Sequence, residues 1–152
     1  MGDPYDDPYD LARFVTAQDS GGTYARAVTE LRAGAKTSHW MWFVFPQIAG
    51  LGQSQLSRRY AISSLDEARA YLRHDVLGPR LRECAAIVAT SHRGAGDIFG
   101  GIDAMKLRSS MTLFLRADPA EPAFDEVLRR HFGGVPDAET DRLAGIDEHG
   151  RS

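Results

Sequence analysis

Both tryptophans of the chain fall in one stretch, Ser38-His39-Trp40-Met41-Trp42-Phe43-Val44-Phe45-Pro46-Gln47. Aromatic rings at this density can wall a pocket for a planar ligand, with His39 and Gln47 supplying directional hydrogen bonds. The same residues serve equally well as plain core, since a buried aromatic covers roughly 150–250 Å². Both readings stand. A second group lies in the segment Asp103 to Phe114. At roughly 100° per residue, Asp103, Lys106 and Ser110 share an arc of about 60° on one helix face. Leu107, Met111, Leu113 and Phe114 flank them, so polar groups sit inside an arc that should face the core. A buried Lys or Asp is costly unless paired. Either Asp103 caps the helix, Lys106 snorkels out and Ser110 bonds to the preceding turn, or the three line a cleft. In a cleft, Lys106 and the helix start would meet an anion, which Asp103 at the cap would oppose. The third group is Gly50-Leu51-Gly52-Gln53-Ser54, followed by Arg58 and Arg59. Glycines admit a close backbone approach to a ligand, and Ser54 at a helix start is an available donor. An ordinary loop with a solvated arginine pair explains it as well.

Other chemistries find no residues to perform them. The histidines (39, 74, 92, 131 and 149) never form His-Glu-x-x-His, and no Cys/His cluster has zinc spacing, so neither a metal nor a cofactor is expected. Gly94-Ala95-Gly96 is a lone Gly-x-Gly, no Walker A sequence occurs, and no Gly-x-Ser-x-Gly elbow is present.

The elements that must position these groups are helical. Asp7 as N-cap with Pro8 at the first helical position predicts a helix burying Leu11, Phe14 and Val15. Gly21-Gly22 breaks the chain, and Thr23 is placed to cap a second helix that ends at Gly34. Ser38 is predicted to cap a short buried helix that Pro46 stops. Ser64-Leu65-Asp66-Glu67 reads as a capping box, and Pro79 suits the first turn of the next helix, whose stripe is Leu81, Cys84, Ala85, Ile87 and Val88. Glycines 94, 96, 100 and 101 predict a connection around Asp97-Ile98-Phe99. Asp103 is then expected to cap a helix reaching Ala117. Another helix covers Ala123 to Phe132, between Pro122 and Gly133-Gly134, and a weaker one follows Pro136. No strand-turn-strand alternation appears. The expectation is a mainly α, compact single-domain bundle of about six to eight short helices over residues 7–145, with flexible tails at 1–6 (acidic) and 146–152.

Composition agrees with one domain. A chain of 152 residues suffices to bury roughly two thirds of its unfolded surface. With 43% apolar and 26% charged residues it is ordinary globular material, and a net charge of −3 argues against an extended nucleic-acid surface. Cys84 is the single cysteine, so no internal disulfide can form. No secretory run is present, and the apolar stretch Trp40–Pro46 is too short to span a bilayer, so a cytoplasmic location without membrane contact is expected. Oligomeric state is not encoded in any pattern.

Lys36-Thr37-Ser38-His39-Trp40 through Gln47, followed by Gly50–Ser54, resembles a hallmark of the family called domain of unknown function 1810. Bacterial members of that family are sometimes labelled calpastatin-like. Ile98-Phe99-Gly100-Gly101-Ile102-Asp103, then Lys106-Leu107 and Ser109–Phe114, resembles its second hallmark. Tyr60-Ala61-Ile62 and Glu67–Leu72 match in between, so the likeness covers about residues 7–135. It implies a mainly α-helical fold and no established activity. A more distant likeness is to the NADAR superfamily, linked to NAD and ADP-ribose metabolism and N-glycosidic cleavage. Ser38-His39-Trp40 and Asp103-Ala104-Met105-Lys106 echo its pattern, which departs here in having no Glu before His39. That likeness implies a pocket for a nucleotide or ADP-ribose-like ligand and an N-glycosidase-type hydrolase or transferase. His39 and Asp103 would be catalytic, with Trp40, Trp42, Gln47, Ser54, Lys106 and Ser110 holding the ligand. The rival reading is a non-catalytic ligand-binding or protein-interaction module.

Overall fold

A computed structural model describes residues 6–146. The predicted tails lie outside these residues except for Asp6 and Ile146. In chain order the helices are α1 (Ala12–Asp19), α2 (Thr23–Ala33), α3 (Met41–Val44), α4 (Gln55–Arg59) and α5 (Leu65–Arg73). They continue with α6 (Leu77–Ala89), α7 (Ala95–Phe99), α8 (Gly101–Ala117), α9 (Pro122–Phe132) and α10 (Ala138–Leu143). Helix α8 runs through the middle and packs on α5, α7, α9 and α10, while α6 packs on α2, α5 and α9. Leu107, Met111, Leu113 and Phe114 of α8 are fully buried, as their arc predicts. Among the described residues there is no strand. An isolated parallel bridge, Ile48 to Ile62, ties the loop after α3 to the entry of α5.

Several helix starts differ from the sequence reading, each for a local reason. Asp7 does not open α1 directly. Its carboxylate accepts from the N–H groups of Leu11 (2.8 Å) and Ala12 (3.0 Å), around a turn in which Asp10 takes a φ of +52°. That left-handed residue delays the helix by several positions. Gly22, not Thr23, precedes α2, and Trp40, not Ser38, precedes α3. Glycines 94 and 96 do not make an open connection, because Ala95, Ile98 and Phe99 bury one face of α7. Asp103 does not cap α8; Gly100, with φ +79°, turns the chain and leaves Asp103 inside the first turn.

Where capping residues are unambiguous the reading holds. Ser64 Oγ accepts from Glu67 N–H at 3.1 Å. The Glu67 carboxylate, however, reaches past the cap to Ser63 N–H (2.9 Å) and to Arg13 (3.0 Å). Arg13 also donates to the carbonyls of Tyr9, Asp10, Arg59 and Ala61, stapling α1 to the segment between α4 and α5. Gly34 ends α2 in the left-handed region, as expected.

Candidate functional site

Glu30 on the last turn of α2 organises the segment that carries the tryptophans. Its Oε1 accepts from Thr37 N–H (2.8 Å), Ser38 N–H (3.0 Å) and Trp40 Nε1–H (3.0 Å), and its Oε2 from Ser38 Oγ (2.5 Å). Burial pushes this carboxyl up, but the donors from Ser38, Thr37 and Trp40 outweigh it and hold the group down at about 2. A depressed folded pKa stabilises fully above the ordinary carboxyl value of 4.5, and the contribution is lost as pH falls toward about 2. Glu30→Gln is therefore expected to flatten the fall of urea midpoints in that window; an unchanged slope would contradict the network.

Next to this knot lies a chain of charges that joins the two sequence-distant segments. Lys36 Nζ donates to Ser38 O at 2.7 Å and pairs with Asp103 Oδ2 at 2.9 Å. Its side chain is only 8% exposed, so the pair offsets a real desolvation cost. Asp103 Oδ1 in turn faces Lys106 Nζ at 3.5 Å. Each lysine also lies against an aromatic ring, Lys36 at 5.0 Å from the Trp40 centroid and Lys106 at 5.3 Å from that of Trp42. The order Trp40–Lys36–Asp103–Lys106–Trp42 is thus one continuous contact path.

Two hollows adjoin it. The more enclosed, of about 180 Å³, is walled by Trp42, Gln47, Tyr60, Arg58, Ser57 and the Ile48–Gly52 loop. The more open, of about 310 Å³, lies between that loop and α8, with Lys106, Ser109, Ile102 and Met105 on its α8 side. Gln47, Gly52 and Ser57 line both. Glycine is required at position 52, since a Cβ there would fall 2.4 Å from Ser57 Cβ. Ser54 caps α4 and touches Ser57 Oγ at 2.9 Å, so it positions a lining hydroxyl without lining either hollow.

The structure sorts the sequence-predicted residues. Trp42, Gln47 and Lys106 reach the hollows, and Asp103 stands behind Lys106. Trp40 is fully buried against Phe45 and Phe99, and His39 is exposed; neither lines these hollows. Ser110 is fully buried, and its Oγ has no hydrogen-bond partner, so it does not bond to the preceding turn. The serine that does so is its neighbour Ser109, to Met105 O at 3.2 Å, and Ser109 is the one on the hollow wall. Ser110→Ala should consequently cost no stability and raise it by up to about 1 kcal/mol, read from denaturant midpoints. A loss above about 1 kcal/mol would show that the hydroxyl is satisfied.

Glu30, Lys36 and Ser57 were not singled out as site residues from sequence. Glu30 had a signal: it shares the buried stripe Ala27–Leu31–Gly34 of α2, where a carboxylate must find partners. Cys84 carries no chemistry here, as burial pushes its thiol up to about 12. Among the described residues no group of His, Cys, Asp or Glu could hold a metal ion, and no helix is long and apolar enough to cross a membrane.

Fold and site together define a small all-α domain in which two remote segments meet beside a divided hollow. The chain belongs to the family described as protein of unknown function DUF1810, whose model matches residues 8–144. The match takes in α10, beyond the likeness read from the sequence. The chain is also similar to the conserved hypothetical protein Rv1873 from Mycobacterium tuberculosis, a crystal structure at 1.38 Å. The two share 53% identity and a TM-score of 0.88, over 93% of this chain and 100% of the other. No curated protein matches the chain. The NADAR likeness is not among these matches.

Proposed function

We propose that the divided hollow takes a nucleotide- or ADP-ribose-like ligand and that the domain acts on its N-glycosidic bond. The observation that carries this reading is the Lys36–Asp103–Lys106–Trp42 path, in which Trp42 reaches the enclosed hollow and Lys106 the open one, with the Asp103 carboxylate between the lysines. Trp42 and Tyr60 offer ring faces, Gln47 and Ser57 hydrogen bonds, Arg58 a cation for phosphate, and Lys106 an ammonium donor on the open side. In hydrolysis the bond between the sugar's anomeric carbon and the base nitrogen breaks, and its electron pair leaves with the base. The base takes up a proton, and water adds to the anomeric carbon. Positive charge builds on the sugar in the transition state. Asp137 and Glu139 on the open hollow's wall are engaged in a helix cap and an ion pair with Arg142. Asp103, held against Lys106, is the carboxylate assigned to stabilise that charge. His39 is a proton donor only from outside the hollow.

A second reading, binding without turnover, is favoured by one fact: Asp103 already faces two ammonium groups. It yields thermal stabilisation with no product, about 2.7 kcal/mol at a hundred times the dissociation constant.

Incubation with NAD, ADP-ribose and ADP-ribosylated bases, followed by chromatography and thermal shift, separates the two. Lys106→Met is expected to weaken binding at least about tenfold, or about 1.4 kcal/mol, while the unfolding midpoint stays close to that of the unmodified protein. Neither turnover nor a thermal shift anywhere on the panel would remove both readings.

A further inference from the structure

Four large apolar side chains are exposed among the described residues: Leu56, Ile102, Met105 and Val135. Two of them, Ile102 at 76% and Met105 at 72%, lie one turn apart on α8, both on the lip of the open hollow. Leu51 continues this apolar surface from the loop opposite. Nothing in the packing of α8 requires them, since the buried arc of that helix is made by Ala104, Leu107, Met111 and Phe114.

The charges around the same hollow are already engaged and balanced. Lys106 faces Asp103, and Arg108 donates to the carbonyls of Val135 and Pro136. On the α10 side, Asp137 caps that helix and Glu139 pairs with Arg142. Two cations and two carboxylates therefore line a space that has no net charge to offer a phosphate. The enclosed hollow differs. Arg58 is its one charged lining residue, and its remaining polar groups, Gln47, Ser57 and the Ile48–Gly52 backbone, suit a small hydroxylated ring.

Resting on the reading of the site as one for an N-glycosidic ligand, we infer how that ligand is divided. The sugar and its phosphate enter the enclosed hollow, the glycosidic bond crosses the waist at Gln47, Gly52 and Ser57, and the base lies in the open hollow. There a flat, uncharged aromatic ring covers Ile102 and Met105; methionine sulfur and ring edges are well matched partners. The lip thereby selects the substrate class. Nucleosides and nucleotides with an intact aromatic base are taken, and sugar phosphates without one are taken less well.

Because Ile102 and Met105 are solvent-exposed, the double variant Ile102→Ser/Met105→Ser should fold and melt like the parent chain. Calorimetric titration of both proteins with adenosine monophosphate, ADP-ribose and ribose 5-phosphate tests the assignment. The parent protein is expected to bind the base-bearing ligands more tightly than ribose 5-phosphate. The double variant should lose at least about tenfold in affinity for the first two, equivalent to about 1.4 kcal/mol, and bind ribose 5-phosphate unchanged. Equal affinities of the two proteins for adenosine monophosphate would overturn the base assignment and leave the nucleotide reading standing. Equal loss for ribose 5-phosphate would overturn it also, by placing the sugar on the lip. No binding of any of the three by the parent protein would overturn both.

Discussion

Trp40→Ala is expected to lower the stability of the domain by about 3–5 kcal/mol, enough to consume much of a typical folding free energy. The ring is fully buried, tilted against Phe45 with centroids 6.3 Å apart and edge-on to Phe99 at 6.4 Å. Truncation opens a cavity between α3 and α7 that neighbouring backbone cannot close. It also removes the indole N–H that Glu30 accepts at 3.0 Å and the face that Lys36 covers. Two buried charges are left with poorer surroundings, which adds to the cavity term. Urea unfolding at neutral pH measures the loss. Trp42→Ala, at a partly buried position, should cost clearly less and act instead on ligand binding. Similar losses for the two variants would contradict the division of the aromatic segment into a core ring and a wall ring.

Arg13→Ala should be comparably severe, about 3–5 kcal/mol, because it strands a buried carboxylate. Glu67 is 3% exposed, and Arg13 is its only ion-pair partner among the described residues. The same guanidinium holds four backbone carbonyls, drawn from the C-terminal end of α4 and from the turn before α1. Adding Glu67→Gln to Arg13→Ala should recover part of the loss by removing the unpaired charge. If the single variant were no worse than Arg69→Ala, whose pair with Asp66 is exposed, the staple would have no energetic role.

How far the sequence reaches is visible in these same residues. Helix interiors and ends with strong local chemistry were legible: Gly34, Ser64, Pro122 and Gly133 each act where their type requires. The mainly α architecture followed from apolar spacing read together with caps, prolines and glycines, and the segments resembling the DUF1810 hallmarks identified the family. Starts governed by turns were not legible. Asp7 and Asp103 are both good capping residues by type, yet Asp10 and Gly100 turn the chain elsewhere. Asp103 was then free to reach Lys36, a contact across 67 positions that no local pattern encodes. Of the Asp103/Lys106/Ser110 arc, Ser110 is buried without a partner, and the serine on the hollow wall is its neighbour Ser109. Ser109 and Ser110 differ by about 100° around the axis, so a small rotation of α8 decides which faces the hollow. Ser57 was hidden for a different reason. Its place depends on the loop over Gly52, whose close approach only the folded chain reveals.

A ligand held in the divided hollow must reach Trp42. Trp40 is shielded from solvent and lines neither hollow, so a change in tryptophan emission during a titration of the unmodified protein with ADP-ribose is assigned to Trp42. A saturable change in emission that Lys106→Met shifts to at least about tenfold higher ligand concentration is the expected result. Emission that stays flat up to millimolar ligand, in a protein with its full unfolding transition, would leave the domain as a scaffold without a nucleotide site.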